Sequence, residues 1–509
     1  MLEQGFPWLT TLIVVPLVGA ATIWLLPAVG RRWARQVAVA ASLLTVAAAV
    51  PATLAFDAGS SGQFQLSERA GWIPSFGISY ALGVNGIGLV LVLLCVVLVP
   101  LVLLAAWREP DTSPLRHYLA LVLVLEALLV AVFSARDLFL FYVLFEAMLV
   151  PVYFMIGVFG GPQRRYAAVK FLIYSLAGGL VMLVGVIALY QAGPGGPQGF
   201  LIENLSGLDL SVTTGRLLFA SFFLAFAIKA PIWPLHTWLP DVAEQAPAGT
   251  SALVVGVLDK VGTFGMLTLC LPLFPEASRW AGPAIVVLAV ISILYGAFLA
   301  IGQENLLRLV AYSSISHFGF IVLGIFAFTS VSSQGAALYM LTHGLSTGAL
   351  FLIAGFLVSR WGTARIADFG GLAKVVPVLA GVFLVAGLSA LSLPGLAPFV
   401  SELEVLVGTF AANGPAAVVA TLGVLLAALY VLLAYQRIFT GGVREGLAVH
   451  PDLSARERWV VGPLIAATLV FGLYPAPLVD LLRDPATAAV AQVGVQDAAT
   501  VHPGDGSDR

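Results

Sequence analysis

Apolar runs of about twenty residues follow one another along almost the whole chain, and the short segments between them hold most of the charge. A helix crosses a hydrocarbon core in roughly 20 residues, so each run is long enough to span a membrane. Fourteen runs are legible: 8–29, 34–55, 82–106, 117–134, 137–158, 168–191, 216–238, 248–272, 282–302, 306–328, 334–358, 377–410, 414–438 and 459–481. The pattern predicts an all-α polytopic membrane protein, with a single transmembrane domain over 1–483 and a short polar extracytoplasmic tail at 484–509. GPGGPQG at 193–199 reads as a turn, and no soluble domain fits between the runs.

Composition agrees: 60% of the residues are hydrophobic and 10% charged, outside the usual mix of a soluble domain. A net charge of -2 offers no basic footprint for nucleic acid, so the partners are lipid and other membrane proteins. Cys95 and Cys270 lie inside apolar runs without metal-ligand spacing, which argues against a disulfide framework and a metal site. Glu3 precedes the first run and Arg31, Arg32 and Arg35 follow it, the reverse of a signal peptide, so this run is read as a retained helix. Loops after odd-numbered runs carry fifteen Lys and Arg, from Arg31 to Arg458. The opposite loops and termini carry six: Arg69, Arg136, Arg216, Arg279, Arg483 and Arg509. The positive-inside rule makes the odd loops cytoplasmic and puts both termini outside.

Charge inside the runs needs another explanation. Lys229 and Lys260 fall within the seventh and eighth runs, where a charge costs about 2.5–3.5 kcal/mol on insertion scales. Snorkelling would take Lys229 about two helical turns to an interface. Glu146 in the fifth run, at comparable depth, is its expected partner. His317, His343 and Glu402 could extend a polar line through the tenth, eleventh and twelfth runs. Glu126 and Glu404 are further ionisable residues at depth; scattered structural ion pairs with satisfied histidines are the lesser alternative for the whole set, and the stronger one for Glu404.

Two runs also carry helix breakers. KAPIWPLHTWLPD holds Pro231, Pro234 and Pro240, and LPGLAPFVSELE holds Pro394, Gly395 and Pro398. Freed backbone groups are tolerated at membrane depth only where protein or water satisfies them, so such breaks mark internal cavities. Broken helices five runs apart are the signature of duplicated transporter halves. Residues 117–272 and 282–438 are then candidate five-helix repeats, and the odd number makes the second inverted.

FYVLFEAMLVPVYF, LAFAIKAPIWPLHTWLPD, LDKVGTFG, RLVAYSSISHFGFIVLG and LTHGLSTGALFL resemble the antiporter-like proton-pumping subunits of respiratory complex I, the NADH:quinone oxidoreductase. The likeness is to its M branch, chain 4 in mitochondria, and covers the third to thirteenth runs. The resemblance implies a glutamate rather than a lysine in the twelfth run, here Glu402. The chain ends soon after its last run, without the long lateral helix of the L branch, which also favours M. The pattern is departed from at three places: Ala243 stands where histidine is usual, Asn85 where aspartate is usual, and Leu396, Ala397 and Pro398 replace a more polar loop.

The resemblance implies a translocating part of an enzyme in a bacterial-type cytoplasmic membrane, beside other membrane-arm subunits, the L and N subunits above all. FMN, iron–sulfur clusters and quinone belong to other subunits. This chain has neither a GxGxxG after a strand nor a cysteine cluster, so no redox chemistry is expected in it. At about 4 Å and an effective dielectric near 20, a Glu146–Lys229 pair is worth about 4 kcal/mol, and separating it would release the lysine's proton. The proton would pass to Lys260, then past His317 or His343 to Glu402, with flexible hydrated backbone at Pro240 and Pro394. An Mrp-type cation/proton antiporter subunit and a membrane subunit of a related redox-driven pump are the alternatives.

Overall fold

The structure is a computed structural model that describes residues 5–26, 32–108, 113–447 and 450–495. Arg31 and Arg509 of the charge asymmetry, and the tail from 496 onward, lie outside these residues. Each of the expected runs holds helix, although the third begins in a strand at 82–84 and the seventh, twelfth and fourteenth are interrupted. The helices are α1 (Trp8–Leu25), α2 (Ala34–Leu54), α3 (Gly86–Ala105), α4 (Ser113–Ser134), α5 (Leu138–Phe159), α6 (Arg164–Ala192), α7 (Val212–Lys229) and α8 (Trp238–Gln245). They continue as α9 (Ala248–Leu273), α10 (Pro275–Ile301), α11 (Leu306–Phe326), α12 (Ser330–Trp361), α13 (Pro377–Ala390), α14 (Ala397–Ala412), α15 (Gly414–Phe439), α16 (Ala455–Leu473) and α17 (Ala476–Val493).

Among the described residues twelve helices are long and apolar enough to cross a membrane, or thirteen if α16 and α17 form one span. The count falls short of fourteen because the twelfth run is divided between α13 and α14, each too short alone. The last run differs too. It bends by 75° between α16 and α17, and α17 continues to Val493, burying Leu482, Ala486 and Val490. The polar tail expected from 484 therefore begins with ten residues of packed helix.

Sequence pattern also missed a β-hairpin, whose strands β1 (Gln65–Ile73) and β2 (Ile78–Val84) pair antiparallel ahead of α3. Its buried acid Glu68 accepts the backbone N–H groups of Leu9, at 2.7 Å, and Thr10, satisfying donors that the first turn of α1 leaves open. Asp137 does the same for α5, accepting from Phe139 and Leu140, and its second oxygen takes the Ser79 N–H of β2 at 2.8 Å. Asn85 caps α3 through Gly88 N–H at 3.0 Å, so the amide fills the role that an aspartate would have there.

Burial sorts the helices. α9, α11 and α12 are almost wholly enclosed, whereas only about a third of the residues of α1, α2 and α15 are buried. The outer helices turn many large apolar residues outward, Val18, Leu44 and Leu425 among them, and the ionisable residues at depth gather further in.

Candidate functional site

The seventh run breaks at 230–237, between α7 and α8, around Pro231 and Pro234. Pro240 lies in the first turn of α8, where its missing N–H costs no hydrogen bond, so it is not at the break as expected. Lys229 is the last residue of α7, where a cation complements the helix dipole. It is 1% exposed, which rules out snorkelling. The break has its own supports: Trp238 Nε1 donates to Ile228 O at 2.9 Å, and Trp233 N–H to Ser292 Oγ at 2.8 Å.

Two acids that follow the break hold α8 in place rather than joining the buried line. Asp241 accepts from Lys170 at 2.6 Å and from Arg308 at 2.9 Å, and Glu244 accepts from Arg308 at 2.9 Å. α8 is thereby tied to both α6 and α11. Ala243 is buried on the same short helix.

Glu146 and Lys229 are not an ion pair in this structure. Lys229 Nζ has no hydrogen-bond partner and lies over the rings of Phe145 at 4.6 Å and Phe171 at 5.8 Å. The half-buried Glu146 carboxyl is pressed against α6 instead, so close that a Cβ on Gly179 would stand 1.6 Å from Oε1. The two charges still act on each other. The expected contact fails because Phe145 and Phe171 provide aromatic faces for the ammonium.

Lys260, fully buried, donates to Val255 O at 2.5 Å and meets His343 Nδ1 at 2.7 Å. Val255 belongs to a π-helical stretch, Val254–Leu258. Beyond it, the His343 and His317 rings stand 5.3 Å apart without a shared hydrogen bond. His317 Nδ1 contacts Tyr339 OH at 2.7 Å, and Tyr339 donates to Glu402 Oε2 at 2.6 Å. Ser392, from the break between α13 and α14, donates to the same oxygen at 2.5 Å. Of the six residues singled out in the sequence, four are thus brought into one line, Lys260, His343, His317 and Glu402. The two histidines stand in series rather than as alternatives.

Tyr339, Ser392 and Asp259 were not singled out. Tyr339 lies four residues before His343, on the same face of α12, a spacing visible in LYMLTH. Asp259 is next to Lys260 in LDKVGTFG and is completely buried. Glu126 and Glu404 do not join the line. Glu126 is enclosed in α4 with neither oxygen bonded, and Glu404 lies against Gly335 on α12, where a Cβ would come within 2.7 Å of its own. Among the described residues no group of three or more His, Cys, Asp or Glu could hold a metal ion, and Cys95 and Cys270 are unpaired.

Residues 135–428, more than half of the chain and the region that carries this line, match the family described as NADH:quinone oxidoreductase/Mrp antiporter, transmembrane. The chain belongs to that family. It is 46% identical to NADH-quinone oxidoreductase subunit M of Mycobacterium tuberculosis, covering 98% of this chain and 97% of the relative. Subunit M of Rhodobacter capsulatus is 38% identical, covering 95% of this chain and 96% of the relative. Among solved structures, a chain of respiratory complex I from Thermus thermophilus superimposes with a TM-score of 0.87 at 32% identity, over 96% of this chain and all of that one. A chain of an Mrp complex from Dietzia sp. shares the fold at a TM-score of 0.85 and 23% identity, over 95% of this chain and 98% of that one. The protein is accordingly an antiporter-like, multi-span membrane subunit of a proton-translocating NADH:quinone oxidoreductase.

Proposed function

We propose that protons cross this chain along the buried line from Lys229 through Lys260, His343, His317 and Tyr339 to Glu402. The supporting observation is the run of hydrogen bonds that joins Lys260 to His343, and His317 to Glu402 through Tyr339. Lys260, His317, Tyr339 and His343 sit on the most enclosed helices, α9, α11 and α12, where an ionisable residue is costly unless it is used. Glu146 stands at the start of the line and biases Lys229 from a distance. Redox chemistry in other subunits would move Glu146 relative to Lys229, and Glu402 would discharge outward.

Several finer points belong to the same reading. Residues 117–272 and 282–438 are inverted repeats, supported by a helix break in the corresponding span of each half. Both termini face outward, as the loop charges indicate. The neighbours are other membrane-arm subunits, the L and N subunits above all. Ile173 and Leu180 of α6 are exposed apolar residues that a partner chain would cover. FMN, iron–sulfur clusters and quinone reside in those other subunits, and the membrane is the bacterial cytoplasmic one. An Mrp-type antiporter shares the fold, but relatives of 38–46% identity over nearly the full length carry the subunit M name.

The test is NADH-driven proton uptake by membrane vesicles from cells carrying Lys229→Ala, at equal assembly of the complex. Loss of uptake together with coupled oxidation is expected. Uptake at the wild-type rate would overturn the assignment.

A further inference from the structure

Between Lys229 and Lys260 the proposed line has no hydrogen bond, and one acid lies in that interval that no role yet accounts for. Asp259 is completely buried in α9, and neither carboxyl oxygen has a hydrogen-bond partner. An aspartate in that position costs several kcal/mol if charged and unpaired, so purely structural use is a poor account of it.

Its placement follows from two local features. α9 is π-helical over Val254–Leu258, and Asp259 closes that stretch, its N–H donating to Val254 O at 2.9 Å. π-Turns inside α-helices are found frequently at functional sites. Three residues on, Gly262 lets α9 touch the backbone of α7: a Cβ there would lie 2.5 Å from both Phe226 O and Ala230 N. Residues three apart share a helix face, so Asp259 is turned toward the end of α7 that carries Lys229. The charge of Asp259 acts on Lys229 and on Lys260 alike.

We infer that Asp259 is the proton-carrying station between Lys229 and Lys260. The step balances within the chain. A proton leaves Lys229 Nζ, so the ammonium becomes an amine, and it binds a carboxylate oxygen of Asp259. The acid then gives that proton to the Lys260 amine, which restores the carboxylate and leaves an ammonium facing His343 Nδ1. A rearrangement of the π-turn brings the carboxyl to each lysine in turn.

This inference rests on the proposed proton line, so its test includes a variant of each. Asp259→Asn, Asp259→Glu and Lys229→Ala are compared in the intact complex for proton uptake per NADH oxidised. The expected result is at least a two-fold fall for Asp259→Asn, near-normal uptake for Asp259→Glu, and loss for Lys229→Ala. Asparagine has the shape of aspartate while glutamate has its acidity, so this order distinguishes carrying a proton from filling space. Normal uptake in Asp259→Asn with loss in Lys229→Ala overturns the role of Asp259 and leaves the line standing. Normal uptake in Lys229→Ala overturns both. If Asp259→Asn does not assemble, Asp259→Ser is measured against the same two outcomes.

Discussion

Tyr339 joins two helices of the proposed proton line, its hydroxyl meeting His317 Nδ1 at 2.7 Å on one side and donating to Glu402 Oε2 at 2.6 Å on the other. Tyr339→Phe keeps the ring and removes only that hydroxyl. A hydrogen bond to a charged group contributes about 1.5–3 kcal/mol. If that stabilisation is lost in the transfer step, the rate falls by roughly 10–100-fold. NADH-driven proton uptake should drop accordingly while the complex still assembles; an unchanged rate would remove Tyr339 from the path.

Gly179 is the counterpart of Glu146 on α6. A methyl group there would occupy the space of the Glu146 carboxyl, and the neighbouring wall is helix. Gly179→Ala should therefore displace the acid and lower proton uptake as Glu146→Gln does. The double variant should be no worse than either alone, because both act through one carboxyl. Additive losses would show that Gly179 acts by another route.

Asp241 receives Lys170 and Arg308 together, with about a fifth of its side chain exposed. Asp241→Asn should loosen the seventh-span break, at a cost of about 1 kcal/mol for partly solvated pairs. Amide exchange across 230–245 should quicken while the core of α12 keeps its protection. Equal protection in variant and wild type would mean that packing alone holds the break.

Arg360 binds both oxygens of Glu457, at 2.9 and 2.8 Å, fixing the end of α12 to the start of α16. Both side chains are nearly buried, at 10% and 6% exposure. Removing one partner of such a pair costs about 3–5 kcal/mol. Arg360→Ala should lower the yield of assembled complex, measured on native gels, with proton uptake per assembled complex little changed.

The proposed topology has both termini outside, so a protease added to intact spheroplasts should remove a tag at the C-terminus. Protection of the tag would reverse the topology and the proposed direction of discharge.

The sequence by itself determined the solvent, the helical class and which residues bear charge at depth. Those follow from local chemistry: a twenty-residue apolar run has few alternatives to a membrane helix, and a lysine inside one stands out against its neighbours. The long motifs also made the family legible. What only the tertiary structure decided is who meets whom. Glu146 and Lys229 look paired by depth, yet Phe145 and Phe171 take the ammonium and the carboxyl settles on Gly179. His317 and His343 look like alternatives, but the packing of α11 on α12 sets them side by side. Tyr339 and Asp259 were invisible because a phenol in an apolar helix and an acid beside a lysine have many ordinary uses. Their meaning arises from neighbours distant in sequence, His317 and Glu402 for the first and the end of α7 for the second. Hydrophobic periodicity reports how far each residue is from water, and it carries no information about contacts between helices.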